Sequence, residues 1–159
     1  QESAVMDADL INRAVVIEEL AATDKVSALT EALAAAVQAK LLAKKSTADL
    51  LERLRERERL GSTGIGNGVA IPHVKSDDLS SMGLVVARSL RGIEYEAIDG
   101  RPVQTVFLLL APSTQREAHL AALRWVSGLA RSTDFRRFFL AAKSAQEMRA
   151  LLIEMSQPK

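Results

Sequence analysis

Between Gly61 and His73 the chain reads Gly-Ser-Thr-Gly-Ile-Gly-Asn-Gly-Val-Ala-Ile-Pro-His. Four glycines within residues 61–68 give a backbone that reaches positive φ and lets a ligand approach main-chain groups closely. Ser62 and Thr63 contribute hydroxyls at its start, and Arg57 and Arg59 lie just before it. The segment ends on one of the two histidines in the chain. Guanidinium, hydroxyl, bare backbone and imidazole in this order describe a phosphate site whose histidine can itself be the nucleophile.

Two familiar phosphate motifs are excluded. No Gly-Lys-Ser/Thr ending is present, so there is no lysine to reach a β- or γ-phosphate. Gly64, Gly66 and Gly68 lack dinucleotide-fold spacing, and an apolar strand follows them where that fold needs a helix. On spacing alone His73 reads equally as a packed, hydrogen-bonded residue. The second histidine, His119 in Glu117-Ala118-His119-Leu120, shifts the balance. It falls early in a helical stretch just beyond a β-rich run, and ligands in open α/β sheets gather at such strand ends. His119 has no histidine partner at helical spacing and the chain has no cysteine, which argues against a metal centre and leaves a metal-dependent hydrolase as an outsider.

The elements that must position these groups follow from periodicity. Residues 1–12 read as a loose lead-in, and 14–17 as a first strand. Thr23-Asp24 offers caps to a helix over 25–45, with Val26, Leu29, Leu33, Val37 and Leu41 at helical spacing. Ser46-Thr47-Ala48-Asp49 resembles a capping box that opens a helix to Arg59, with Leu50, Leu51 and Leu54 inward and Gly61 as the stop. The charge run 53–59 reads as a solvated face, Arg59 included. Residues 74–80 read as a polar loop, 82–88 as a strand, Asp99-Gly100 as a turn, and 103–110 as a buried central strand. Helices are expected over 113–131, 135–142 and 144–155. Strands separated by helices imply an α/β fold with a mixed sheet flanked by helices.

The 159 residues fit one domain, 1–159, with a core over about 14–155. Hydrophobic content of 48% with 26% charged residues excludes a disordered chain. A net charge of +1, with no aromatic-plus-basic stretch, argues against nucleic acid. No apolar run is long enough for membrane insertion, and no signal-peptide pattern is present, so a cytoplasmic location is expected. The chain begins at Gln1 rather than methionine and reads as trimmed or cut from a longer protein.

Residues 57–73, from Arg57-Glu58-Arg59-Leu60 through the glycine segment to Ile71-Pro72-His73, resemble the signature of the IIA phosphocarrier domain of the bacterial phosphoenolpyruvate-dependent phosphotransferase system. The resemblance is to the fructose/mannitol class, which includes nitrogen-regulatory IIA proteins. Residues 97–103 and the His-Leu-x-x-Leu at 119–123 match in the same order. The resemblance implies that His73 is the phosphoacceptor, that His119 is the second active-site histidine, and that Arg57 holds phosphoryl oxygens. Ser62, Thr63 and Gly64 would complete the phosphate cradle. It implies no cofactor, a phosphohistidine donor on a small histidine-containing carrier protein, and either a IIB cysteine or a regulated transporter or kinase as acceptor or target. A role as a phosphorylation-dependent binding module of the nitrogen type, without sugar transport, is the alternative. Val74 stands where family members frequently carry glycine, so the local chain path is expected to differ there.

Overall fold

The computed structural model describes residues 8–156. Its organising strand is β6 (Val103–Pro112), apolar on both faces, as a strand covered on both sides must be. Phe107, Leu109 and Ala111 enter one core layer, and Leu108 and Leu110 the other. β5 (Gly83–Ile93) pairs antiparallel to β6, with Val85 opposite Leu108, and β1 (Val15–Ile17) lies parallel to β5. Along the other edge of β6, β3 (Val69–Ala70) and β4 (His73–Ser76) follow one another, both parallel to it. β2 (Gly64–Gly66) returns antiparallel on β3 through Asn67 and Gly68, whose φ values of 59° and 76° need the left-handed region. The mixed sheet flanked by helices is the architecture expected from the sequence.

Two helices, α2 (Lys25–Gln38) and α3 (Thr47–Arg59), cover the Leu108 face. The Phe107 face is covered by α1 (Ala8–Asn12), α4 (Arg116–Arg131), α5 (Thr133–Ala141) and α6 (Ala145–Met155). Among the described residues no helix is long and apolar enough to cross a membrane.

Several boundaries differ from expectation, each for a local reason. Of the lead-in, residues 1–7 lie outside the described chain, while Ala8–Asn12 is helical and buries Leu10 and Ile11. The helix expected over 25–45 ends at Gln38, with Lys40 at φ 65°; the turn lets Leu41 pack beside Gly83. Val26, assigned inward by spacing, is 40% exposed. The Asp24 cap forms, accepting from Ser27 N–H at 2.9 Å. The Ser46 capping box does not, because a short 3₁₀ turn over Lys44–Ser46 runs directly into α3. Most consequential is the expected loop at 74–80. His73–Ser76 is instead a strand, with Val74 buried opposite Leu110.

Arg88 on β5 is 4% exposed and reaches across to the end of α5. Its guanidinium donates to the carbonyls of Phe139 at 3.1 Å, Ala142 at 2.6 Å and Glu18 at 3.1 Å. A cation there meets the negative end of the α5 dipole and the carbonyls at its C-terminal end, of which Phe139 O also accepts the Ala142 N–H at 3.4 Å. Arg88→Met should therefore lower unfolding stability by about 2–3 kcal/mol, read from urea denaturation, because buried carbonyls are left without donors.

Candidate functional site

His73 is the first residue of β4, and its ring is held by its own chain. Nδ1 lies 2.8 Å from the carbonyl of Ile71. A carbonyl can only accept, so Nδ1 carries the hydrogen and the neutral ring presents its lone pair at Nε2. The carbonyl is itself fixed. Ile71 N–H donates to Thr63 O at 2.9 Å, and the intervening Pro72 carbonyl accepts Leu109 N–H at 3.0 Å.

His119 lies in the first turn of α4, which returns over the sheet after β6 ends. The two imidazoles meet edge to face, with centroids 5.6 Å apart and planes at 64°. His119 is 5% exposed, and its Nε2 has no hydrogen-bond partner among the described residues. Burial lowers its pKa to about 4, aided by repulsion from His73 and Lys75, so the ring is neutral near pH 7. A partly exposed imidazole, held through Nδ1, thus stands beside a buried one that is neutral near pH 7 and has one unsatisfied nitrogen.

The remaining expected residues are placed differently from a simple ring of ligands. Arg57, in the last turn of α3, donates to the Gly61 carbonyl at 2.7 Å. Ser62 Oγ accepts Gly64 N–H at 2.9 Å and donates to Tyr95 O at 3.3 Å. Thr63 is buried, and both its N–H and its hydroxyl donate to the Glu58 carboxylate. Ser62 and Thr63 turn inward, and together with Arg57 they fix the loop. Arg59 is the solvated charge expected of it, paired with Glu56 and Glu52. No group of three or more His, Cys, Asp or Glu able to hold a metal occurs among the described residues.

Glu58 and Tyr95 were not legible as part of the site. The Glu58 carboxylate is 6% exposed and also takes Lys25 Nζ at 3.2 Å and Tyr95 OH at 3.3 Å. Lys25 Nζ lies 5.0 Å over the Tyr95 ring. Burial and then the Glu58 charge push the Tyr95 hydroxyl above its ordinary pKa, so it remains a donor. In sequence Glu58 is one acid in an alternating charge run, and only its placement five residues before Thr63 hints at a loop contact. Nothing local points to Tyr95 or Lys25. The result is a continuous connection, from Glu58 to Thr63, from Thr63 O to Ile71 N–H, and from Ile71 O to His73 Nδ1–H.

Comparison with known proteins matches residues 9–155 to the family described as "Phosphoenolpyruvate-dependent sugar phosphotransferase system, EIIA 2". A nitrogen regulatory protein of Bradyrhizobium diazoefficiens is 37% identical over 144 residues, covering 91% of this chain and 92% of that protein. A fructose-specific EIIA component of Haloferax volcanii is 37% identical over 105 residues, 66% of this chain and 68% of that protein. The crystal structure of nitrogen regulatory protein IIA-Ntr from Neisseria meningitidis superposes with a TM-score of 0.79 at 30% identity, covering 91% and 97% of the two chains. Enzyme IIAMTL of Escherichia coli, solved in complex with phosphorylated enzyme IIBMTL, shares the fold at a TM-score of 0.70 and 18% identity, over 86% and 92% of the chains.

Two outcomes follow. Glu58→Gln should cost about 1–2 kcal/mol of stability by weakening a buried charged acceptor, and the ring ¹⁵N shifts of His73 should move from one tautomer towards a mixture. His119 binds a proton in the unfolded chain below its ordinary pKa of about 6.5, whereas the folded chain resists it down to about 4. Stability attributable to this residue is therefore present above that window and falls as pH drops through it, by up to about 1.4 kcal/mol per pH unit. Urea midpoints between pH 6.5 and 4 should show a shallower slope in His119→Gln than in the wild type.

Proposed function

The chain belongs to the EIIA type-2 family of the phosphoenolpyruvate-dependent sugar phosphotransferase system, a family of phosphoryl carriers, and we propose that its phosphoacceptor atom is Nε2 of His73. The observation that carries this reading is the Nδ1–H···O=C bond to Ile71, which leaves Nε2 unprotonated beside the unpartnered Nε2 of His119.

The donor in this reading is a phosphohistidine on a small histidine-containing carrier protein. The Nε2 lone pair of His73 forms the new N–P bond as the donor's N–P bond breaks, and the departing electron pair returns to the donor ring. Each ring keeps its other N–H throughout, so no net proton transfer is needed. His73 becomes a phosphoimidazolium whose positive charge is stabilised by the Ile71 carbonyl. His119, neutral because it is buried, supplies a hydrogen bond to a phosphoryl oxygen without placing a second cation against the ring. Arg57 faces the phosphoryl oxygens from the loop edge, where its planar fork suits them. Ser62, Thr63 and Gly64 contribute by holding the loop in place, since their hydroxyls and N–H groups are already engaged.

For the next step, a IIB cysteine is the acceptor in this reading; enzyme IIAMTL, which shares the fold, was solved in complex with a phosphorylated enzyme IIBMTL. A second reading makes the protein a nitrogen-type regulator whose phosphorylation state selects its binding partners. The near-full-length match to a nitrogen regulatory protein, against about two thirds of the chain for the fructose component, supports it. Phosphoryl transfer to His73 is common to both.

Incubation with phosphoenolpyruvate and the general phosphotransferase proteins should add one acid-labile phosphate, read by intact mass. The adduct should be absent from His73→Ala, and its formation should be slowed about 100–1,000-fold in His119→Ala, the usual range for loss of one positioned hydrogen-bond donor. An unlabelled wild type, under a donor that labels an authentic EIIA protein, would overturn the assignment.

A further inference from the structure

A second cationic feature lies at the opposite end of β6 from the histidines. Arg91 on β5, Arg101 in the loop before β6 and Arg136 on α5 line one cavity of about 320 Å³, together with Asn67, Gly68 and Gln104. Gln104 and Leu109, the β6 partner of His73, are separated by roughly 17 Å at about 3.3 Å per residue. The cavity is distinct from the phosphoacceptor site, and nothing in the transfer reaction uses it.

The pairing of these arginines differs from that of three of the four arginines on α3. Arg53, Arg55 and Arg59 each have an acidic partner on their own helix. None of Arg91, Arg101 and Arg136 forms a salt bridge among the described residues, and no carboxylate lines the cavity. Asp99 accepts the N–H groups of Arg101 and Asn67 at 3.1 Å each and feels the Arg101 charge without forming a salt bridge to it. Three guanidiniums drawn from three separate elements line the one cavity, where an anion would be attracted to all three. The Arg136 guanidinium is already oriented by bonds to Ala130 O at 2.6 Å and Thr133 Oγ1 at 3.4 Å. Gln104 is likewise fixed, its Nε2 donating to Leu90 O at 2.9 Å.

We propose that this cavity binds a small anion carrying two or more phosphoryl groups. Guanidinium forks match phosphate oxygens in pairs, and three of them exceed what a single phosphate can engage. The Asn67 amide adds a neutral hydrogen-bonding group beside the charge. Because Asn67 and Gly68 form the turn of the β2–β3 hairpin, the ligand rests on the same hairpin whose far end carries Thr63 and Ile71.

The test is titration of sodium tripolyphosphate into the full chain at low ionic strength, read by calorimetry and by amide chemical shifts. Saturable one-to-one binding is expected, with shifts at Gly68, Gly92 and Gln104. Arg91→Ala and Arg101→Ala should each weaken it at least about tenfold and raised salt should weaken it further, as the loss of a charged contact and screening require. Lys45→Ala, which removes one charge from the turn before α3, should bind as the wild type does. Orthophosphate should bind far more weakly than tripolyphosphate. A nucleoside triphosphate run in parallel distinguishes the sources of the shared chemistry: tighter binding assigns the Asn67 amide to a base, equal binding assigns the site to the polyphosphate group alone. No saturable binding, unchanged affinity in both arginine variants, or shifts confined to the His73 region would overturn the proposal. Phosphorylation of His73 can succeed or fail independently of every one of these outcomes.

Discussion

The hydrogen bond from His73 Nδ1–H to the Ile71 carbonyl is the constraint on which the site depends. It fixes which nitrogen is basic, and it does so with a main-chain group whose position is set by the fold rather than by a rotamer. That position is fixed in turn by a strand pairing shortened to its minimum. Ile71 N–H meets Thr63 O, and Pro72, which has no N–H to satisfy, carries the chain from β3 into β4 while its carbonyl still pairs with Leu109. The Glu58 carboxylate, gathering donors from Thr63, Tyr95 and Lys25, secures the base of this arrangement. A buried carboxylate is tolerated there because it is paired and hydrogen-bonded at both oxygens.

Bringing two histidines that are far apart in sequence into ring contact is the work of β6. His73 is placed opposite Leu109 by parallel pairing, and the chain leaves β6 only three residues later, at Pro112. The turn that follows is closed by Gln115 N–H to Pro112 O at 3.1 Å, and α4 then presents His119 within its first turn. Val74 belongs to the same logic. In β4 its side chain fills the core under α2 and α3, a place that glycine would leave empty.

The parts of this structure that were legible in the sequence are those governed by local pattern. The apolar run of β6, the glycine segment, Gly61 as a stop and Asp24 as a cap follow from propensity and turn chemistry, and His73 and His119 followed as candidates. What was not legible depended on partners remote in sequence. Residues 74–76 look like a polar loop because Lys75 and Ser76 alternate with Val74 over too short a run to register as a strand, and only β6 makes them one. Leu41 continues the helical spacing of α2, yet it is needed beside Gly83, so the helix ends early. Ser62 and Thr63 were read as outward ligands because hydroxyls beside glycines suit phosphate. The inward alternative needed Tyr95, more than thirty residues away, and Glu58, hidden in a charge run.

On the proposed reading, the modest strength of the cradle is itself functional. Transfer between two imidazoles is close to isoenergetic, so a site that bound the phosphoryl group strongly would hold it rather than hand it on. The geometry avoids this in two ways. Arg57, the one cation assigned to the phosphoryl oxygens, stands at a partly exposed loop edge, where water screens its attraction. The deeper contact comes from His119, which burial keeps uncharged, so it offers direction without a full ionic attraction. A lysine or a charged histidine at that buried position would gain strength from the low dielectric and turn a carrier into a trap. The same burial that lowers the pKa of His119 therefore serves both the fold, by filling the seam between α4 and β4, and the turnover of the phosphoryl group.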